Sequence, residues 1–127
     1  MTKDITEIRN TLVSLLKKHI DLFQVKADRF EQFEVCGTIP AMQGKQKVDG
    51  FYFGSVIPKP KDVRLYFFPI YTHTDEMGEL PENLKKALKG KSCFHIKFLD
   101  EEMIENLNQM IEKAVKIYQQ NNLLIKS

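Results

Sequence analysis

The chain has 127 residues, close to the commonest single-domain size, so one domain spanning 1–127 is expected. Its 43% hydrophobic and 28% charged residues exclude a disordered or collagen-like chain. A formal net charge of +2 gives no overall field toward nucleic acid or anionic lipid, and no apolar run approaches the roughly 18 residues of a membrane span.

The first residues do not read as a signal peptide, because Lys3 precedes Asp4 and Glu7 and the apolar residues are spaced. Asp4 with Glu7 reads as a capping box: Asp4 accepts an orphan amide and Glu7 reaches back. Behind it Ile5, Ile8, Leu12, Leu15, Leu16 and Ile20 repeat at helical spacing, with Lys17 and Lys18 outward. Phe33, Val35 and Ile39 alternate with polar neighbours as a strand closed by Gly37 and Pro40. The polar stretch Gln43-Gly44-Lys45-Gln46-Lys47 reads as an exposed turn.

Aromatic and β-branched residues then crowd into Phe51–Ile57 and Val63–Ile70, which predicts two strands. Between them the prolines of Pro58-Lys59-Pro60-Lys61-Asp62 remove ladder donors and force a hairpin turn. Pro81 suits a first helical position, Leu84, Ala87 and Leu88 form a short apolar face, and Gly90 a C-terminal stop. Cys93–Phe98 reads as a further strand. Asp100 caps a last helix with Glu101 and Glu102 in its first turn and a core stripe of Met103, Leu107, Met110, Ile111, Ala114 and Tyr118.

The element order α-β-β-β-α-β-α predicts an α+β two-layer sandwich, an antiparallel sheet packed by N- and C-terminal helices. There are too few crossovers for a parallel sheet. No repeat or long linker divides the chain.

Motifs that carry chemistry are scarce. G-x-G-x-x-G, the P-loop and G-x-S-x-G are all absent, which argues against a Rossmann site, a P-loop nucleotide site and a serine-hydrolase elbow. Ser55 lies inside a predicted strand, where a serine is more often structural than nucleophilic. Cys93 and His95 share one strand face with Lys97, while Phe94, Ile96 and Phe98 line the other. With His73 they could contact a soft metal, although no recognised zinc spacing occurs. Lys85, Lys86, Lys89 and Lys91 form a basic run, read first as the solvated face of a short helix. Asp100, Glu101, Glu102 and Glu105 form an acidic cluster that could hold a hard cation or simply complement the helix dipole. Tyr52, Tyr66, Tyr71 and Tyr118 are the remaining polar-tipped aromatics.

Three segments taken together resemble a known family: Phe51-Tyr52-Phe53-Gly54-Ser55-Val56-Ile57, then Leu65–His73, then Leu84–Lys97 with its stretch Leu88-Lys89-Gly90-Lys91-Ser92-Cys93-Phe94-His95-Ile96-Lys97. Over roughly residues 50 to 120 the chain resembles the YdhG-like domain family, small bacterial proteins mostly of unknown function. The resemblance implies a compact α+β fold with both terminal helices on an antiparallel sheet. Some relatives are described as frataxin-like iron chaperones that hold iron weakly on acidic surface residues.

The resulting expectation is a cytoplasmic domain that binds an unidentified small ligand or protein without catalysis. Its candidate surface is Tyr66, Tyr71, His73, Cys93 and His95. The alternative is a handler of iron or another metal, using Asp100, Glu101, Glu102 and Glu105, or His73 with Cys93 and His95. A cofactor, iron, is implied only under that alternative. Nucleic acid and membrane are not expected partners.

Overall fold

In a computed structural model, which describes residues 1–126, α1 (Ile5–Lys17) begins where the sequence places its cap. The Asp4 side chain accepts a hydrogen bond from the Glu7 backbone N–H at 2.9 Å. The reciprocal half of the capping box does not form. Instead the Asp4 N–H donates to the Thr2 hydroxyl, which itself donates to the Glu7 carboxylate. Ile8, Leu12, Leu15 and Leu16 are buried as the spacing predicts, but Ile20 is exposed because the helix ends at Lys17 and Ile20–Leu22 forms a separate 3-10 turn.

Six strands build the main sheet: β1 (Gln24–Arg29), β2 (Gln32–Cys36), β5 (Tyr52–Pro58), β6 (Val63–Phe67), β7 (Leu88–Lys89) and β8 (Cys93–Ile96). They lie in the order β1-β2-β5-β6-β8-β7, every neighbouring pair antiparallel. A separate hairpin, β3 (Ala41–Gln43) and β4 (Gln46–Val48), turns at Gly44, whose φ of 63° favours glycine. The segment predicted as a plain turn is therefore a small hairpin, and Ile39 lies outside any strand. The expected turn over Pro58–Asp62 joins β5 to β6, with the Lys59 N–H donating to the Asp62 carbonyl.

Two further predicted elements change at their ends. The β6 ladder stops at Phe67, because Pro69 lacks the donor that a central strand would require and opens α2 (Pro69–Thr72), followed by α3 (Thr74–Met77). The lysine-rich helix is shorter than the sequence predicts. It runs as α4 (Glu82–Ala87) with Pro81 at the N-cap, and Leu88 and Lys89 leave it to pair with Phe94 and Cys93. Gly90, with φ 70°, makes the turn back to β8.

The last helix, α5 (Glu101–Gln120), is capped by Asp100, whose carboxylate accepts from the Met103 N–H at 2.8 Å. Its expected stripe is buried in full, and Val115 and Ile117 join it. The core lies between the sheet and α1 with α5. Phe33, Val56, Leu65, Phe67, Phe94 and Ile96 are fully buried there against Leu12, Leu16, Leu107 and Ile111. Tyr118 is buried too, and its hydroxyl donates to the Tyr52 carbonyl at 2.8 Å. The architecture is the α+β two-layer sandwich that the periodicity predicts.

The pairing of β2 with β5 is irregular at one point. Val35 faces Gly54, yet the next residue of β2, Cys36, faces Tyr52, so Phe53 is an extra residue on β5. This bulge lets Phe53 and Gly54 both turn toward the core, leaving Tyr52 and Ser55 on the opposite face three positions apart. Gly54 suits the crossing: a Cβ there would meet the Tyr66 carbonyl oxygen at 2.7 Å.

Candidate functional site

On the sheet face turned away from α1 and α5, the register lines up one row across the strands: Ala27, Glu34, Ser55, Tyr66, Cys93 and Lys89. A second row, Ile57, Arg64 and His95, lies two residues along. Polar groups thus occupy successive strands on this face, while the intervening positions Phe33, Val35, Val56, Leu65 and Phe94 are fully buried in the core.

At Glu34 and Ser55 the row is hydrogen-bonded rather than merely adjacent. The Ser55 hydroxyl lies 3.4 Å from the Glu34 carboxylate, which can only accept when ionised, so the serine proton points to Glu34. Tyr52 shares a hydrogen bond with the same serine oxygen and is thereby the donor. Gln32 also donates to Glu34, at 3.0 Å. Ser55 is only 2% exposed, lying beneath this network. Burial pushes the Tyr52 phenol up to about 12.

At the β8 end, buried Asp62 accepts from the Arg64 guanidinium at 2.8 Å and lies 3.6 Å from His95 Nδ1. The carboxylate therefore holds the Arg64 side chain in place beside the His95 ring. Burial raises the Cys93 thiol pKa, with Arg64 pulling the other way, so the thiol stays protonated at neutral pH. Cys93 is partly exposed; Cys36, also free, is buried, and burial chiefly raises its pKa as well.

Of the five candidate ligand-binding residues, Tyr66, Cys93 and His95 come together on this face. Tyr71 stands at its end, half exposed, with its ring 5.9 Å from Phe68, which in turn contacts Tyr52. His73 stands apart. Its ring packs against Tyr118 of α5, and its Nδ1 shares a 2.8 Å hydrogen bond with the Thr72 hydroxyl. The acidic cluster is spread along α5: Asp100 is engaged as a cap, Glu101, Glu102 and Glu105 are exposed, and Glu105 accepts from Gln109. Among the described residues no three His, Cys, Asp or Glu side chains converge as metal ligands.

Two hollows flank the rows. One, of about 370 Å³, lies between the β3–β4 hairpin and the main sheet and is lined by Lys26, Glu34, Cys36, Gln43 and Tyr52 among others. The second, of about 520 Å³, lies between α4 and β8 and includes His95. Glu34, Tyr52, Asp62 and Arg64 were not singled out by the sequence as site residues. The alternation Val63-Arg64-Leu65-Tyr66-Phe67 carried a signal for Arg64, since it repeats the pattern that placed Cys93 beside His95.

The fold and this face together define an α+β sandwich with one apolar and one polar, hydrogen-bonded sheet surface. Comparisons with protein-family models, with curated proteins and with solved structures found no match. No helix among the described residues is long and apolar enough to cross a membrane.

Proposed function

We propose that the chain is a small-ligand-binding domain whose site is the polar face of its sheet, and that it belongs with the YdhG-like proteins as a cytoplasmic, bacterial member. The observation that carries the binding reading is the row Glu34–Ser55–Tyr66–Cys93, continuous across four strands and flanked by a hollow on each side. Glu34 and Ser55, fixed by their hydrogen bonds, are pre-ordered, so a ligand meeting them loses little to side-chain ordering. Terminal helices on one face of an antiparallel sheet support the family reading. Two unbridged thiols are consistent with a reducing compartment. Binding rather than catalysis fits the protonated state of Cys93.

The test is a fragment screen by two-dimensional amide NMR. Hits are expected to shift the signals of Tyr66, Cys93 and His95, and Tyr66→Ala should abolish those shifts while the rest of the spectrum is retained. A screen whose hits all map elsewhere, or are indifferent to Tyr66→Ala, rejects the site.

A further inference from the structure

We infer that the cleft between α4 and β8 binds a small organic anion: an apolar body bearing a carboxylate or phosphate group. The cleft shares His95 with the polar face but includes neither Tyr66 nor Cys93, so it goes beyond the binding reading above. The cleft's volume of about 520 Å³ is in the range of small-molecule sites. Ala87, Phe98 and Met103 supply apolar lining, with Met103 only 3% exposed. Around them stand Lys86, Lys89 and Lys97, with one acid, Glu82, in the lining; His95 also lines the cleft but has Asp62 at 3.6 Å.

A solvated helix face accounts for Lys86 but not for the others. Lys89 has left the helix and pairs with Cys93 in β7, which directs it to the same face as His95. Lys97 follows His95 at the next alternate position beyond β8. Helix α4, strand β7 and the segment after β8 thus deliver three ammonium groups to one cleft. None of these lysines forms a salt bridge among the described residues, whereas neighbouring Lys85 is paired with Glu79. Uncompensated ammonium groups beside an apolar lining attract an anionic head more strongly than the same charges in open water. The lining gives that head's apolar body somewhere to be buried.

The probes are 2-naphthyl phosphate and 2-naphthoate, with neutral 2-naphthylmethanol and inorganic phosphate as comparison arms, titrated by amide NMR and calorimetry. Both naphthyl anions should saturate and shift Ala87, Lys97 and Phe98, with the neutral and apolar-free arms weaker by about tenfold. Lys86→Glu combined with Lys97→Glu should weaken the anions by about tenfold or more with an unchanged circular dichroism spectrum. Lys86→Gln with Lys97→Gln, a milder pair, should give a smaller loss. Absence of saturation, equal binding of the neutral arm, or indifference to charge reversal would each overturn the inference. If inorganic phosphate alone binds as well, the apolar body is refuted. Shifts at Tyr66 and Cys93 with Ala87, Lys97 and Phe98 unmoved would reject this cleft while leaving the wider polar face standing.

Discussion

Ser55 is a buried hydroxyl that neither helix packing nor the core explains; its role is to join Tyr52 to Glu34. Replacing it with alanine removes the acceptor that Tyr52 uses, and Ser55→Ala is expected to cost about 1 kcal/mol in urea unfolding. Tyr52 and Tyr118 both have phenol pKa values raised first by burial. The folded state therefore keeps protons that the unfolded chain releases, so their contribution is complete below pH 10 and is lost as pH rises above it. An alkaline titration of unfolding free energy should show this decline, and Tyr118→Phe should flatten it. His19 runs the other way. Its Nε2 is buried without a hydrogen-bond partner among the described residues, and burial lowers its pKa from 6.5, with Glu112 opposing and Lys18 reinforcing. The unfolded chain takes up a proton that the folded one resists, so stability is full above about pH 6.5 and falls on acidification. His19→Leu should remove that acid slope.

At the level of elements, the two capped helices were the most legible features. Each announces itself by a cap and a single apolar stripe, and both Asp4 and Asp100 cap as read. Asp100→Ala is expected to cost about 1 kcal/mol, measured as a lower denaturation midpoint. The elements that escaped the sequence are those whose stability comes from a neighbour. Edge strand β1 exposes most of its residues and has little apolar alternation to read, being held by its ladder to β2. Strand β7 sits in a stretch whose leucines and lysines favour helix, yet Leu88 gains more by pairing with Phe94. Gly37 and Gly50 show another contact invisible in one dimension. A Cβ on Gly50 would come within 1.7 Å of the Gly37 carbonyl oxygen, so Gly50→Ala should destabilise by roughly 3 kcal/mol or more in thermal or urea unfolding.

For the whole molecule, the sheet divides labour between its faces, and stability measurements should see the division. Leu65→Ala is expected to cost about 2–5 kcal/mol, because it opens a cavity under α1. Tyr66→Ala, one residue on but facing the other way, should cost about 1 kcal/mol or less. The site was only partly legible for a related reason. Alternation places Cys93 with His95, but which strand lies beside which is a property of the assembled sheet. Glu34 and Ser55, 21 residues apart, meet only there. His73 is near Tyr66 in the chain but is carried away from it by the turn that Pro69 opens.

The extra residue at Phe53 also constrains how this chain can vary in length across generations. A strand without a bulge loses its facing when one residue is inserted or removed, since every position beyond the change swaps sides. In β5 the swap has already been made once and absorbed, leaving Tyr52 and Ser55 together with a phenylalanine and a glycine turned inward between them. Descendants could drift in length at the hairpin tip around Gly44 or between Pro58 and Asp62. Deletion of Phe53 would restore a regular strand with Tyr52 and Ser55 still on one face, but would leave the core without the ring it holds there.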